Sequence, residues 1–158
     1  MNKKQRIAAI IVILAVITLM FMWLRPEPFE REYRSVIYTN EAGQTGTTVL
    51  ALSGETFRGL PGKSSFTGSL TADSDLVYEL KLKESGGYFF GHIYTFTTDN
   101  HIRTIGIVNA SLDLNKLWVM LRDVNERYGL KDQDGYIAGP AGTLEEAQQV
   151  ARDIISPE

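Results

Sequence analysis

The chain has 158 residues, no cysteine, 16 basic and 19 acidic residues, and 44% hydrophobic side chains. Without a thiol there is no disulfide, no thiol catalysis and no cysteine-type zinc site, so stability has to come from packing. All 19 acids lie after Pro26 and four basic residues before it, leaving twelve basic against nineteen acidic residues, a net of −7; that sign argues against nucleic acid and against adhesion to anionic lipid, both of which need a basic face.

Ile7 to Leu24 is a run of eighteen residues without charge, preceded by Lys3, Lys4 and Arg6 and closed by Arg25 and Pro26. At about 1.5 Å per residue a helix over this run spans roughly 27 Å, close to the roughly 30 Å hydrocarbon thickness of a bilayer. Thr18 is its only polar side chain, with a hydroxyl able to bond back to its own helix. Met20, Phe21, Met22 and Trp23 fill the distal end as an interfacial belt. The excess of basic residues before the run predicts a cytoplasmic tail over 1–6, a transmembrane signal-anchor over 7–24 and everything beyond it outside the membrane. A cleaved signal needs a shorter apolar core followed by small residues, whereas Met22-Trp23-Leu24-Arg25-Pro26-Glu27-Pro28 is bulky and holds two prolines.

Residues 25–32 (RPEPFERE) read as a short stiff spacer, and 33–158 as one β-rich extracytoplasmic domain. Alternating apolar residues between turn signals predict strands over Tyr33 to Thr39, Thr47 to Ser53, Ser65 to Ala72, Leu76 to Lys83, Tyr88 to Thr97 and Ile102 to Val108. In the fourth of these, Leu76, Tyr78, Leu80 and Leu82 share one face while Val77, Glu79, Lys81 and Lys83 share the other. Tyr88 to Thr97 is apolar on both sides, which predicts a central strand covered on each face. Glycines beside Phe57, Phe66 and Phe90 suggest bulges or rings lying over backbone. From Leu114 to Tyr128 the spacing suits a helix while Leu117 to Leu121 suits a strand. The reading taken is a strand ending near Arg122, a hairpin loop with residues 131–135 at its tip, and a return strand Tyr136 to Ala138. Thr143 and Glu146 make a capping box for a helix over 143–155, whose stripe of Leu144, Ala147, Val150, Ala151, Ile154 and Ile155 packs on the domain. The expected architecture is mainly β (α+β): an N-terminal transmembrane helix, then an antiparallel β-sandwich or partly open barrel of about seven or eight strands with the C-terminal helix against it.

Little in the chain carries chemistry. His92, among aromatics in a strand, reads as a histidine at the edge of the core, and His101 as a solvated loop residue. Asp132-Gln133-Asp134-Gly135 resembles the start of a calcium loop, but in that register the first and twelfth positions are Leu130 and Ala141, which supply no carboxylate. Asp73 with Asp75 falls in a turn, and Glu145 with Glu146 in a first helical turn where the helix dipole favours negative charge. Asn109-Ala110-Ser111 matches a glycosylation acceptor pattern that is common by chance. No catalytic, cofactor-binding or metal-binding residue is assigned.

Ser53-Gly54 with Phe57, then Phe66-Thr67-Gly68-Ser69-Leu70, then Ala138-Gly139-Pro140-Ala141 before Glu145-Glu146-Ala147 resemble small single-pass membrane-anchored extracytoplasmic proteins of Gram-positive bacteria. The resemblance implies location and fold, and carries no activity, cofactor or site residue. The expected function is a binding or scaffolding module at a bacterial cell envelope, held by residues 7–24, with an envelope protein or polymer as partner. The alternatives are an enzyme acting on envelope polymer through loop acids such as Asp99, Asp132 or Asp134, and a small structural subunit of a membrane complex.

Overall fold

The computed structural model describes residues 3–39, 43–59, 63–96, 101–130 and 135–155. In chain order these form α1 (Lys3–Trp23), β1 (Glu27–Thr39), β2 (Gly43–Phe57), β3 (Ser65–Ala72), β4 (Leu76–Ser85), β5 (Tyr88–Phe96), β6 (Ile102–Ser111), β7 (Leu117–Leu121), α2 (Arg122–Arg127), β8 (Gly135–Gly139) and α3 (Leu144–Ile155). Each strand pairs antiparallel with the next, and β1 pairs with β8 over Val36↔Ala138 to Thr39↔Gly135. The sheet therefore closes on itself as an eight-stranded up-and-down barrel, settling the expected choice between sandwich and barrel.

Eight strands enclose a space just wide enough for side chains to fill. Here it is filled: Leu50, Leu52, Phe66, Leu70, Leu82, Ile93, Val108, Leu117, Val119 and Ile137 point inward and are fully buried. β4 follows the expected alternation, with Tyr78, Leu80 and Leu82 buried and Val77, Glu79, Lys81 and Lys83 exposed. Where β2 crosses β3, Gly54 faces Gly68 and the Phe66 ring lies against both, so these glycines do carry a ring over backbone. A methyl group added at Gly68 would sit 2.1 Å from the Ser53 carbonyl oxygen.

A second apolar cluster lies outside the barrel. Val36, Tyr38 and Ala138 face outward on the two strands that close it, and Ala147, Val150 and Ile154 of α3 cover them. Trp118 stacks on Tyr136 with centroids 5.2 Å apart and donates its indole N–H to the Tyr38 hydroxyl at 3.1 Å. Lys116 pairs with Asp153 at 2.6 Å, tying the helix to the start of β7. The cap differs in one detail from the expected box: Thr143 Oγ1 accepts the Glu146 N–H, but the Glu146 carboxylate accepts from Gly142 N–H.

Three expectations change. The segment read as a spacer over 25–32 is mostly strand, because β2 runs on to Phe57 and supplies partners from Glu27↔Thr56 to Glu32↔Ala51. Its charges stay exposed, and Pro28 is tolerated because β8 does not reach the other flank of β1 there. In the ambiguous segment the strand is β7, as read, but the loop after it holds α2, whose Val124 and Asn125 are buried; residues 131–134 lie outside the described residues. β5 is not covered on both faces: Phe89, Gly91 and Ile93 are buried, whereas Phe90 and His92 are half-buried and Tyr94 is exposed.

In α1, Thr18 Oγ1 donates to the Leu14 carbonyl at 2.8 Å, as expected. Its described side chains from Ile10 to Trp23 are exposed, and apart from Thr18 they are apolar. Taken over the described residues, no helix is long and apolar enough to cross a membrane.

The packing at Gly68 is directly testable. Gly68→Ala is expected to lower stability by about 1–3 kcal/mol, the usual cost of forcing extra atoms into a packed core. Gly142→Ala, where the nearest atom would be 3.5 Å away, should stay within about 0.5 kcal/mol of the parent. Chemical denaturation of both variants measures the contrast.

Candidate functional site

The two ends of the barrel differ. One end, reached by the starts of β1, β3 and β5 and the ends of β2, β4 and β6, is where α1 joins. A cleft of about 540 Å³ opens there. Its floor is Phe89 and Leu114, both buried, and its walls are Phe29, Phe57 and the half-exposed Leu112. Trp23, the last residue of α1, forms part of the rim. Phe29 packs edge-on to the core ring of Phe66, centroids 6.2 Å apart, so this wall of the cleft continues into the barrel interior.

Local sequence explains this end. Gly86 and Gly87 both have positive φ and close the β4–β5 hairpin in two residues, bringing Glu84 opposite Phe89. After β6, Ser111 Oγ accepts the Asn115 and Lys116 N–H groups, and Asp113 Oδ1 accepts from Ser111 Oγ and Asn115 N–H. These bonds fold residues 111–116 into a compact turn. Leu114 takes a left-handed conformation there, and its carbonyl accepts the buried Tyr33 hydroxyl at 2.5 Å. Arg31 donates to Asn115 Oδ1 and lies 5.8 Å from the Phe29 ring centroid.

The charged side chains of the cleft have partners within the fold. Glu27 pairs with Arg58 at 2.8 Å. Glu84 accepts the Ser64 N–H at 3.0 Å. Partial burial acts to raise the pKa of Asp113, but hydrogen bonds from Ser111 and Asn115 outweigh it and hold the carboxyl below its usual value. Asp113 is thus an anion committed to its own turn and suits neither a general acid nor an open ligand position.

The opposite end is closed by polar ties. Residues 72–75 turn with positive φ at Asp73 and Ser74. Arg127 of α2 grips Asp75 through both terminal nitrogens at 2.7 and 2.9 Å and reaches Asp73 at 3.2 Å. Thr48 and Tyr128 also donate to Asp73, and Tyr78 donates to Asp123 at 2.8 Å. The Arg127 hydrogen bonds hold Asp75 below the usual carboxylate range. Held by that guanidinium, Asp75 stays ionised and serves to pin α2 over the barrel end and not to donate a proton.

A third surface is the outer flank between β4 and β5, whose ladder covers only Lys83↔Phe90 to Ser85↔Tyr88. A groove of about 710 Å³ lies beside it, with Lys81, Lys83 and Glu79 on one side and Phe90, His92 and Tyr94 on the other. The His92 ring lies between Phe90 and Tyr94, with centroids 4.7 and 5.8 Å away. It belongs to an outward aromatic row and not to the core edge.

The remaining candidates fall apart spatially. His101 is exposed at the foot of β6, and Glu145 and Glu146 occupy the first turn of α3 as read. Asn109 is buried in β6, so the glycosylation pattern is inaccessible in the folded barrel. Asp99, Asp132 and Asp134 lie outside the described residues. Among the described residues no group of three or more His, Asp or Glu side chains is placed to hold a metal ion. The cleft itself escaped sequence reasoning; the available signal was Phe29, a lone aromatic in a charged run. No family, curated protein or solved structure matches the chain.

Two pH tests address these ties. Burial pushes the Tyr33 hydroxyl up to about 12 from 10.0, so its contribution is complete below pH 10 and is lost as pH rises toward 12. Tyr33→Phe, which leaves the Leu114 carbonyl without its donor, should cost about 1–3 kcal/mol at neutral pH and show a shallower alkaline loss in denaturant melts. Asp75 has the opposite sign: its lowered pKa means stability present above 3.8 and lost as pH falls through the folded value. Arg127→Gln should melt earlier at pH 7, with the gap to the parent closing as pH falls below that of a free carboxyl.

Proposed function

We propose that the chain is a single-pass membrane-anchored binding module, with its barrel on the extracytoplasmic side of a bacterial envelope and the cleft beside α1 as its ligand site. The carrying observation is the junction between the two parts. The described side chains of α1 from Ile10 to Trp23 are exposed and, apart from Thr18, apolar, and an exposed apolar helix is suited to hydrocarbon. Only Leu24, Arg25 and Pro26 separate α1 from β1, so the barrel would sit directly on the membrane surface.

Several features support binding over catalysis. The barrel interior is filled, the acids lining the cleft (Glu27, Glu84 and Asp113) have partners within the fold, and the mouth of a β-barrel is a common place for a small-ligand site. The net charge of −7 beyond Pro26 favours a barrel that does not adhere to anionic headgroups by itself, which makes the helix the element that holds it there.

Replacing Val16 with Arg near the middle of the 7–24 run should disfavour insertion by about 2.5–3.5 kcal/mol. Alkaline carbonate extraction of cells expressing the full chain then separates the outcomes. The parent is expected in the membrane pellet, cut only beyond residue 26 when protease is added to intact spheroplasts, with V16R shifted to the soluble fraction. A parent released by carbonate, or protected from external protease, overturns the anchor.

A further inference from the structure

We propose that the cleft beside α1 receives the hydrocarbon chain of a membrane lipid. The inference rests on the anchor reading above and names the ligand class of the same site.

Three observations lead there. First, the cleft's charged side chains have partners within the fold: Glu27 with Arg58, Glu84 with the Ser64 N–H, and Asp113 with Ser111 and Asn115. None of them calls for a charged ligand, and the larger part of the surface that the cleft leaves wet is carbon. Second, that carbon is substantial: Phe29, Phe57 and Leu112 form the walls of a space of about 540 Å³, within the roughly 300–1,000 Å³ range of small-ligand sites. Leu112 adds apolar surface, 46% exposed, at the tip of a turn rich in polar bonds. Third, the rim includes Trp23, the end of the apolar helix itself. A tryptophan at the end of a membrane helix sits at headgroup level, so the cleft would open at that level, where an acyl chain reaches it without crossing water. A chain entering there from the bilayer exchanges one apolar surrounding for another, so the gain comes from the apolar cleft surface removed from water, and no counter-charge is needed.

The experiment uses the full chain reconstituted in phosphatidylcholine vesicles containing a phosphatidylcholine with a photoactivatable diazirine at the end of one acyl chain. After irradiation, the labelled peptides are mapped by mass spectrometry. The expected result is labelling of α1 together with peptides bearing Phe57 and Leu112. Leu112→Glu should reduce labelling of the barrel peptides at least about tenfold, equivalent to about 1.4 kcal/mol, while α1 labelling stays constant. Leu112→Ser, which removes apolar surface without adding charge, should fall between. Thermal melts of both variants matching the parent exclude unfolding as the cause. Labelling confined to α1 overturns the lipid site and leaves the anchor intact. Barrel labelling that ignores both substitutions also overturns it, since the chain would then be passing over the surface. Labelling of neither part removes the anchor and the proposal together, whereas barrel labelling without α1 keeps the cleft and removes the anchor.

Discussion

The pairing of β1 with β8 is the constraint on which the rest depends. An open antiparallel sheet leaves two rows of unpaired backbone groups, and closure removes both. Only four register pairs, Val36↔Ala138 to Thr39↔Gly135, make that closure directly. Such a short ladder is reinforced from outside by α3, whose Ala147, Val150 and Ile154 cover the outward faces of Val36, Tyr38 and Ala138. The C-terminal helix is therefore a clamp on the closing strands. Its own stability follows from the same contact, since a twelve-residue helix is marginal in isolation.

Closure also decides where a ligand can go. With eight strands the interior is consumed by Leu, Phe, Ile and Val side chains, so open space is pushed to the ends and the flank. One end is capped by α2, held through Arg127 to the Asp73–Asp75 turn. The other is capped less completely, by the turn at 111–116 and the Tyr33–Leu114 hydrogen bond, and the gap left over is the cleft. The flank groove arises differently, beside a short ladder in which β4 and β5 share three register pairs. The acidic ties close the α2 end of the barrel, whereas the α1 end keeps an open cleft.

Much of the fold was legible because one face of each strand is buried and the other wet. Leu76 to Lys83 announces that alternation without ambiguity, and Ser65 to Ala72 matches β3 residue for residue. Capping chemistry located α3, since Thr143 satisfies a backbone donor that otherwise has no partner. Misreadings occurred where a neighbour overrides local pattern. RPEPFERE has the composition of a linker, yet it is strand because β2 is long enough to pair with it. The aromatic row of Phe90, His92 and Tyr94 looked like a second buried face, yet those rings cover one another in place of a second layer. The cleft was invisible for a related reason: its residues come from the tips of five elements far apart in sequence, and no local spacing links Phe29 to Phe57 or Leu112.

By itself the amino-acid sequence determined the charge-free run at 7–24 with its basic flank, the single β-rich domain, the inward stripe of most strands and the amphipathic helix at the end. Each is a short-range pattern, readable because helix and strand periodicities are properties of a local chain. Only the tertiary structure decided that the sheet closes, that the helix clamps the closing strands, that Asp73 and Asp75 belong to Arg127, and that a cleft opens beside the last residue of α1. Those outcomes depend on which strand lies against which, and pairing between distant segments is set by the collective filling of one interior volume, a quantity no window of sequence contains.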